Sequence, residues 1–160
     1  MDITIFKDIK QTARPFYRNI NLILTRIQEG ASKDIVKKIR AEKDKENRNI
    51  LKQKLPAICF SGQFTKRADN AIKEHSGYIC LDFDGYKSNR DLLQEKERLS
   101  KDKFVYSVFI SPSGNGLKVL VKIPPIIDDH KSYFLSLQKY YDSEYFDKTC
   151  KNISRVCYES

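Results

Sequence analysis

The sequence has no apolar run approaching the roughly 18 residues that a transmembrane helix needs, and it has no charged-then-apolar signal pattern at its N-terminus. It contains only two histidines and no Cys-x-x-Cys pair, so Cys59, Cys80, Cys150 and Cys157 lack the spacing of a zinc site. These absences predict a cytoplasmic protein that does not bind a membrane and whose cysteines are reduced and mostly packed.

The chain also lacks internal repeats, low-complexity tracts and a flexible linker, so its 160 residues predict one continuous domain with two lobes in contact. Hydrophobic residues make up 40%, which is enough for a core and too much for a disordered chain. Acidic residues are the minority, with 21 Asp and Glu against 30 Lys and Arg, a net charge of +9. This balance favours polyanionic partners such as nucleic acid or nucleotides, although a merely soluble basic surface would have the same composition.

The hydrophobic pattern of residues 1–76 predicts an N-terminal α/β lobe. Short apolar segments are typical of strands, and apolar residues at helical spacing follow two polar residues suited to capping. The predicted elements are a strand at 3–6, a loop at 7–18, helices from Asn19 to Gly30 and from Ser32 onward, a strand at 57–60, and a short helix or loop at 67–75.

Residues 77–160 have a more regular pattern, which predicts a ferredoxin-like lobe. The predicted elements are a strand at 78–83, a helix at 88–100, strands at 104–110 and 117–123, a helix at 128–141 and a last strand at 153–158. This order is the split βαβ pattern, in which the first strand is central. We therefore expect an α+β protein in which the N-terminal α/β lobe packs on an RRM-type βαββαβ lobe.

Two aspartates stand at the end of the strand that opens this second lobe. Asp82 and Asp84 are two positions apart, so their side chains project from one face of the strand. Two carboxylates on one face repel each other unless a cation neutralises them, and Mg²⁺ is usually held by one or two carboxylates together with substrate phosphates. The pair predicts a Mg²⁺ or Mn²⁺ site that works on phosphates. The alternative is a strand end where both aspartates face water and begin a turn.

A loop rich in serine and glycine follows at 111–118, Ser-Pro-Ser-Gly-Asn-Gly-Leu-Lys. Its glycines permit close approach to a ligand, and its backbone N–H groups, serine hydroxyls and Lys118 can meet phosphate oxygens. The spacing differs from that of a Walker loop, and the same residues suit an ordinary hairpin turn. Beside an aspartate pair we expect the phosphate-binding alternative.

A third segment places Asp147 just before the predicted last strand, where it could complete a metal site of the two-metal kind. Lys151 and Arg155 could meet triphosphate or template charge. Taken alone, Asp147 is more typical of a surface residue.

The stretch 37–48 is dense in charges of both signs and is typical of a solvated helix face with i,i+4 pairs. The alternative is a nucleic-acid contact, because basic residues extend beyond this stretch. The candidate nucleic-acid-binding residues are Arg40, Lys43, Arg48, Lys66 and Arg67.

The order of these motifs resembles the primase–polymerase domains of the archaeo-eukaryotic primase superfamily. The motifs are Leu-Asp-Phe-Asp-Gly (81–85), the 111–118 loop and Asp-x-x-Cys-Lys-x-x-Ser-Arg-x-Cys (147–157). The chain is most similar to the VirE-type N-terminal domains of bacterial mobile elements and phages, and the similarity extends to Arg-x-Glu-Lys-Asp-Lys (40–45) and Leu-Pro-Ala-Ile (55–58).

The resemblance implies template-directed nucleotidyl transfer with two divalent metals, nucleoside triphosphates as substrates and a single-stranded DNA template. It implies that Asp82, Asp84 and Asp147 are the catalytic, metal-binding acids. It implies a nucleotide-phosphate loop formed by Ser111, Ser113, Gly114, Gly116 and Lys118, and we expect Arg155 to bind nucleotide as well.

The chain departs from the family pattern in two respects. Many members have a histidine in the second motif, whereas this chain has Lys118, which can also hold phosphate. Relatives usually continue beyond the third motif, often into a helicase, so we expect a fused or associated helicase and treat this chain as a fragment or an isolated domain.

Two alternatives stay open. A phosphatase of the haloacid-dehalogenase type would use Asp82 as nucleophile and Asp84 as general acid, but Tyr86 replaces the expected Thr or Val and the motifs are too close for a parallel sheet. A non-catalytic nucleic-acid-binding module would instead stack single strands on sheet aromatics. The candidate aromatics are Tyr78, Phe83, Phe104, Tyr106 and Phe109.

Overall fold

The computed structural model describes residues 1–160 as an α+β protein with five helices and nine strands. The strands are β1 (Asp2–Phe6), β2 (Phe16–Asn19), β3 (Ala57–Cys59), β4 (Gly62–Phe64), β5 (Ile72–His75), β6 (Tyr78–Asp84), β7 (Val105–Ile110), β8 (Gly116–Lys122) and β9 (Cys157–Tyr158). The helices are α1 (Ile20–Gln28), α2 (Lys33–Ala41), α3 (Lys45–Lys52), α4 (Asn89–Ser100) and α5 (His130–Tyr141).

Every strand pair is antiparallel, in sheets of order β2-β1-β3-β9, β4-β5 and β6-β8-β7. The dehalogenase-type alternative requires a parallel sheet, so this architecture does not fit it. The longest helices, α4 and α5, have 12 residues each, and no helix has both the length and the apolar character to cross a membrane.

The predicted loop at 7–18 and the predicted short helix or loop at 67–75 are wrong in part, because each contains a strand, although Asp69–Ala71 does form a short 3-10 helix. Residues 16–19 pair with β1 at the edge of the first sheet, and residues 72–75 pair with β4. Neither strand buries an alternating apolar face, since β2 has no buried residue and the two middle residues of β5 are exposed. The two strands are defined by their backbone hydrogen bonds, which the hydrophobic pattern of a sequence does not predict.

The capping predictions hold at Asn19, whose side chain accepts from Asn21 N at 3.0 Å. Ser32 occupies the N-cap position of α2, but its hydroxyl donates to Glu159 at 2.5 Å instead of capping. The charged stretch 37–48 is two helices and not one, because Asp44 caps α3 by accepting from Asn47 N at 2.8 Å.

The sheet β6-β8-β7 holds the larger core, a cluster of 13 buried residues that includes Leu81, Phe83, Val119 and Phe134. The seven residues of β6 pair with the seven of β8 without interruption, from Tyr78 opposite Lys122 to Asp84 opposite Gly116. This pairing fixes which side chains of the two strands face each other.

The predicted last strand at 153–158 is wrong in extent and in place. Only Cys157 and Tyr158 form a strand, and they pair with β3 in the first sheet. Residues 145–147 lie beside β6 instead: Asp84 N donates to Tyr145 O and Asp147 N donates to Asp82 O, both at 2.8 Å. This short bridge carries Asp147 to the end of β6 where the other aspartates lie.

A second core cluster joins the two predicted lobes. It contains Ile3 and Ile58 from the N-terminal part together with Phe109, Leu120 and Cys157 from the rest. The division at residue 76 stays a prediction, and the chain on either side of it contributes to shared apolar packing.

Candidate metal and phosphate site

The carboxylates of Asp82 and Asp147 and the thiol of Cys150 form a compact group at the open end of β6. Their ligand atoms lie within 4.8 Å of one another, and a group of this kind could hold a metal ion. Cys150 Sγ lies 2.9 Å from Asp147 Oδ2 and 3.4 Å from Asp82 Oδ2. Asp82 and Cys150 are buried, whereas Asp147 is half-buried and open to one side.

Lys118 neutralises part of this acidic group. It stands directly opposite Asp82 in the pairing of β6 and β8, and its Nζ lies 2.6 Å from Asp82 Oδ2. Burial alone would lower the pKa of Lys118, but the Asp82 carboxylate outweighs it and raises that pKa above the usual range. Arg155 also approaches the acids, at 3.9 Å from Asp82 and 3.8 Å from Asp147.

Asp147 is held in its charged form by its own loop. Thr149 donates through its backbone N at 2.9 Å and its hydroxyl at 2.7 Å to Asp147 Oδ1. Burial opposes ionisation of Asp147, but these bonds and the one from Cys150 lower its pKa. For Cys150, burial and the neighbouring carboxylates of Asp82 and Asp147 raise the pKa, so the thiol stays protonated here.

Asp84 does not belong to this compact group, although sequence spacing predicts all three aspartates together. It is exposed and lies against Gly116, where an added Cβ would stand 2.1 Å from Asp84 Oδ1. Although the residue as a whole is exposed, neighbouring groups partly shield its carboxyl from water, and this shielding raises the pKa of Asp84. The charge of Lys118 opposes the rise, whereas the charges of Asp82 and Asp147 add to it. Asp84 therefore shares an electrostatic environment with the other two acids without touching them.

The predicted phosphate loop is a tight turn between β7 and β8. Ser111 N donates to Gly116 O at 2.8 Å, and Gly114 N donates to Ser111 O at 2.9 Å. Gly114 has a φ of +81°, a conformation that glycine adopts without strain. The hydroxyl of Ser111 is buried and has no hydrogen-bond partner, whereas Ser113 is half-buried.

Basic side chains from α2 and α3 face this loop. Arg40 donates to the carbonyls of Pro112 at 3.4 Å and Ser111 at 3.5 Å, so it braces the loop from outside. Lys52, at the end of α3, has its pKa lowered by burial and by the charges of Arg48 and Lys118, with Asp84 opposing the shift.

The remaining basic candidates are not gathered here. Lys43 and Lys66 are exposed and make no hydrogen bond or ion pair through their side chains. Arg67 lies with Arg155 at a different cavity.

Two members of the site were not among the residues predicted for it. Cys150 was present in the sequence motif at 147–157 but has no metal-like spacing to another cysteine, so only its position relative to the motif could have suggested it. Lys52 follows the charged stretch at 37–48 and was not among the basic candidates. Its approach to Asp84 and Lys118 depends on the packing of α3, which sequence spacing does not give.

The donor set fits a divalent metal in part. Two carboxylates suit hard cations such as Mg²⁺ and Mn²⁺, whereas a thiol suits softer ions. The Lys118 ion pair competes with any cation for Asp82. The arrangement can therefore hold a metal provided that Lys118 gives up its contact with Asp82.

Residues 50–160, more than half of the chain, match the family model described as BT4734-like, N-terminal domain, and the chain belongs to that family. The match includes the acids, Cys150, Lys118 and the loop, while Arg40, Lys43 and Arg48 precede it. No curated protein and no solved structure matches the chain significantly.

Proposed function

We propose that the protein is a primase–polymerase-like domain that transfers nucleotides to a growing strand on a nucleic-acid template, with Mg²⁺ or Mn²⁺ as cofactor. One observation carries the proposal. The carboxylates of Asp82 and Asp147, 65 positions apart in sequence, converge beside Lys118 and the turn at 111–116. A cation site next to phosphate-binding groups is what phosphoryl transfer requires.

In this proposal Asp82 and Asp147 would hold the metal, and Asp84 would supply a further carboxylate to it. A divalent metal held there would stabilise the charge on the attacking and leaving oxygens of an in-line displacement. Lys118 has a double role, because it neutralises Asp82 in the free protein and is available to a phosphate once a cation replaces it. Cys150 fixes the orientation of both carboxylates through its hydrogen bonds.

The nucleoside triphosphate lies along the turn between β7 and β8. The Ser111 hydroxyl has no hydrogen-bond partner in the protein and is left for a phosphate oxygen. Ser113 and Gly114 complete the proposed nucleotide site.

The sheet order β6-β8-β7 with α4 and α5 supports an RRM-type catalytic lobe, in which residues 145–147 take the place of the fourth strand beside β6. A net charge of +9 supports a single-stranded DNA template. In the cell we propose a role in replication of mobile elements, with a fused or associated helicase as partner.

The test is incorporation of labelled nucleotide on primed and unprimed single-stranded DNA with Mg²⁺ or Mn²⁺. We expect incorporation by the wild type and none by the double variant Asp82→Ala/Asp84→Ala. The matched control is Asp128→Ala/Asp129→Ala, which removes two exposed aspartates ahead of α5 and should keep full activity. Wild-type protein that incorporates nothing under any of these conditions would refute the proposal.

The second candidate is a non-catalytic nucleic-acid-binding module, and one observation favours it. Asp82 is already paired with Lys118 at 2.6 Å, so the acidic group is partly neutralised without a metal. Two of the proposed stacking aromatics, Phe83 and Phe109, are buried. Tyr78 packs on Tyr106, with ring centroids 4.9 Å apart, so Phe104 is the exposed aromatic of the set. Single-strand binding that survives Asp82→Ala/Asp84→Ala, without incorporation, would support this candidate.

A further inference from the structure

A cavity of about 440 Å³ reaches the acidic group through Arg155, which lines the cavity and lies 3.9 Å from Asp82, and no residue of the 111–118 loop lines it. Its polar lining comes from Arg67 after the β4 strand and from the segment that precedes and forms β9. The polar lining residues are Arg67, Asn152, Ser154, Arg155 and Tyr158. Its size is within the range of about 300–1,000 Å³ that small-molecule sites occupy.

Arg67 enters this cavity with most of its donors unused. Its guanidinium is half-buried, donates one hydrogen bond from Nη1 to Ile9 O at 3.1 Å, and has no carboxylate within ion-pair distance. A guanidinium has five N–H donors. A partly buried cation without a counter-charge is costly, and a bound anion would offset that cost.

Arg155 links the cavity to the acids. Its side chain is 44% exposed, and its contacts with Asp82 and Asp147 are long, at 3.9 and 3.8 Å. It is therefore free to turn toward a ligand in the cavity. Both arginines act on one hydroxyl: burial raises the pKa of Tyr158, and the charges of Arg67 and Arg155 oppose the rise.

The other polar groups of the lining are already engaged. The Ser154 backbone N and hydroxyl both donate to Asp69 Oδ1, and Asn152 donates to Ser154 Oγ at 3.3 Å. The groups left for a ligand are thus two guanidiniums and a phenol hydroxyl, all of which can donate to phosphate oxygens. This donor set is typical of a phosphate-binding pocket.

The position of the cavity distinguishes which phosphate it takes. The cavity shares no residue with the 111–118 loop, while Arg155 lines the cavity and lies 3.9 Å from Asp82. In an in-line displacement the attacking and leaving oxygens lie on opposite sides of the reacting phosphorus. If the loop binds the triphosphate, the strand that supplies the attacking hydroxyl needs a separate phosphate site, and the cavity is separate from the loop.

We propose that the cavity of Arg67, Arg155 and Tyr158 binds a backbone phosphate of the nucleic-acid strand whose 3′ end is extended. This inference rests on the proposed function for its account of the direction of approach. It assigns Arg67 and Arg155 to one strand-binding site, although from sequence they were candidates for different ligands.

The experiment is equilibrium binding of a fluorescent single-stranded oligonucleotide by anisotropy at several salt concentrations. The variants are Arg67→Gln, Arg155→Gln and the double variant. The matched control is Arg18→Gln, which removes the same charge from the edge strand β2, where Arg18 donates only to the neighbouring Tyr17 carbonyl. Arg155→Gln keeps the test decisive if Arg67→Gln fails to fold, because the Arg155 side chain makes only the two long contacts with Asp82 and Asp147.

We expect about tenfold weaker oligonucleotide binding in the double variant and a log–log salt slope reduced by about 0.7 for each lost phosphate contact. Arg18→Gln should bind like wild type, and binding of a fluorescent nucleoside triphosphate should change less than twofold in all variants. Weaker triphosphate binding with unchanged oligonucleotide binding would assign the cavity to the nucleotide and overturn the inference, as would unchanged binding of both probes. Failure of nucleotide incorporation by wild type, with the expected binding pattern, would refute the proposed function and leave the strand site standing.

Discussion

Replacing Lys118 by methionine tests the electrostatics of the site, because it removes the charge and keeps most of the side-chain volume. Asp82 and Lys118 side chains are 9% and 12% exposed and meet at 2.6 Å. Removing one partner of a buried ion pair leaves the other charge uncompensated and typically costs about 3–5 kcal/mol. For a chain of this size, 1 kcal/mol corresponds to roughly 2–4 °C in Tm, so we expect Tm in EDTA to fall by about 6–20 °C.

The same variant should become strongly responsive to metal. Without Lys118, Mn²⁺ can bind the Asp82 and Asp147 carboxylates without displacing a lysine. At a concentration near 100 times its Kd, a ligand that binds only the folded state stabilises it by about 2.7 kcal/mol. We therefore expect Mn²⁺ to recover much of the lost Tm in Lys118→Met and to raise the wild-type Tm less. The assay is thermal unfolding followed by dye fluorescence, with and without Mn²⁺.

Lys122→Met is the matched control, because Lys122 lies on the same strand and is exposed. This variant removes only the contact of Lys122 Nζ with the Tyr106 ring, 4.9 Å from the ring centroid. That contact is worth about 0.5–1 kcal/mol at an exposed site. The reasoning is refuted if Lys118→Met melts within about 2 °C of wild type in EDTA, which would be less than about 1 kcal/mol. An equal Mn²⁺ shift in both proteins would show that Lys118 does not compete for Asp82.

Two further predictions concern stability. His75 and His130 contact at 3.0 Å, and burial together with the neighbouring His75 lowers the pKa of His130 to about 4. Because the unfolded chain would protonate this ring near pH 6.5, the free energy of unfolding should fall by about 2–3 kcal/mol as the pH falls from 7 to 4.5. Urea unfolding of His130→Gln should show a correspondingly smaller fall. An equal fall in both proteins would assign the acid sensitivity to other groups. Gly116→Ala should destabilise by about 1–3 kcal/mol, because its Cβ would meet Asp84 Oδ1 at 2.1 Å and Phe83 O at 2.9 Å. Adding Asp84→Ala should recover part of that loss in urea unfolding, and wild-type stability of Gly116→Ala alone would contradict the close approach.

The secondary structure was predictable from the sequence where the spacing of apolar side chains shows which face of an element is buried. The helices after Asn19 and Ser88 and the strands β6 and β8 follow from apolar spacing and capping residues, which are local properties of the chain. The strands β2 and β5 were not predictable in this way, since they bury few residues.

The candidate site also has a part that was predictable from the sequence and a part that was not. Sequence spacing places Asp82 and Asp84 on one strand and Lys118 after a glycine turn, because these relations span only a few residues. It gives no register between strands, and the register is what sets Lys118 against Asp82 and Gly116 against Asp84. The hydrophobic pattern predicts the α+β class, but it does not predict that the last strand, β9, pairs with β3 in the first sheet.

The sequence by itself determined that a strand ends in acids, that a flexible polar turn follows and that the chain is basic. Only the tertiary structure decided that Asp147 and Cys150 join Asp82 while Asp84 stands apart, and that Arg67 and Arg155 share one cavity. The physical reason is that these contacts join residues far apart in sequence. They depend on the backbone hydrogen bonds from 145–147 to β6 and on the packing of β9 against β3, which no local pattern encodes.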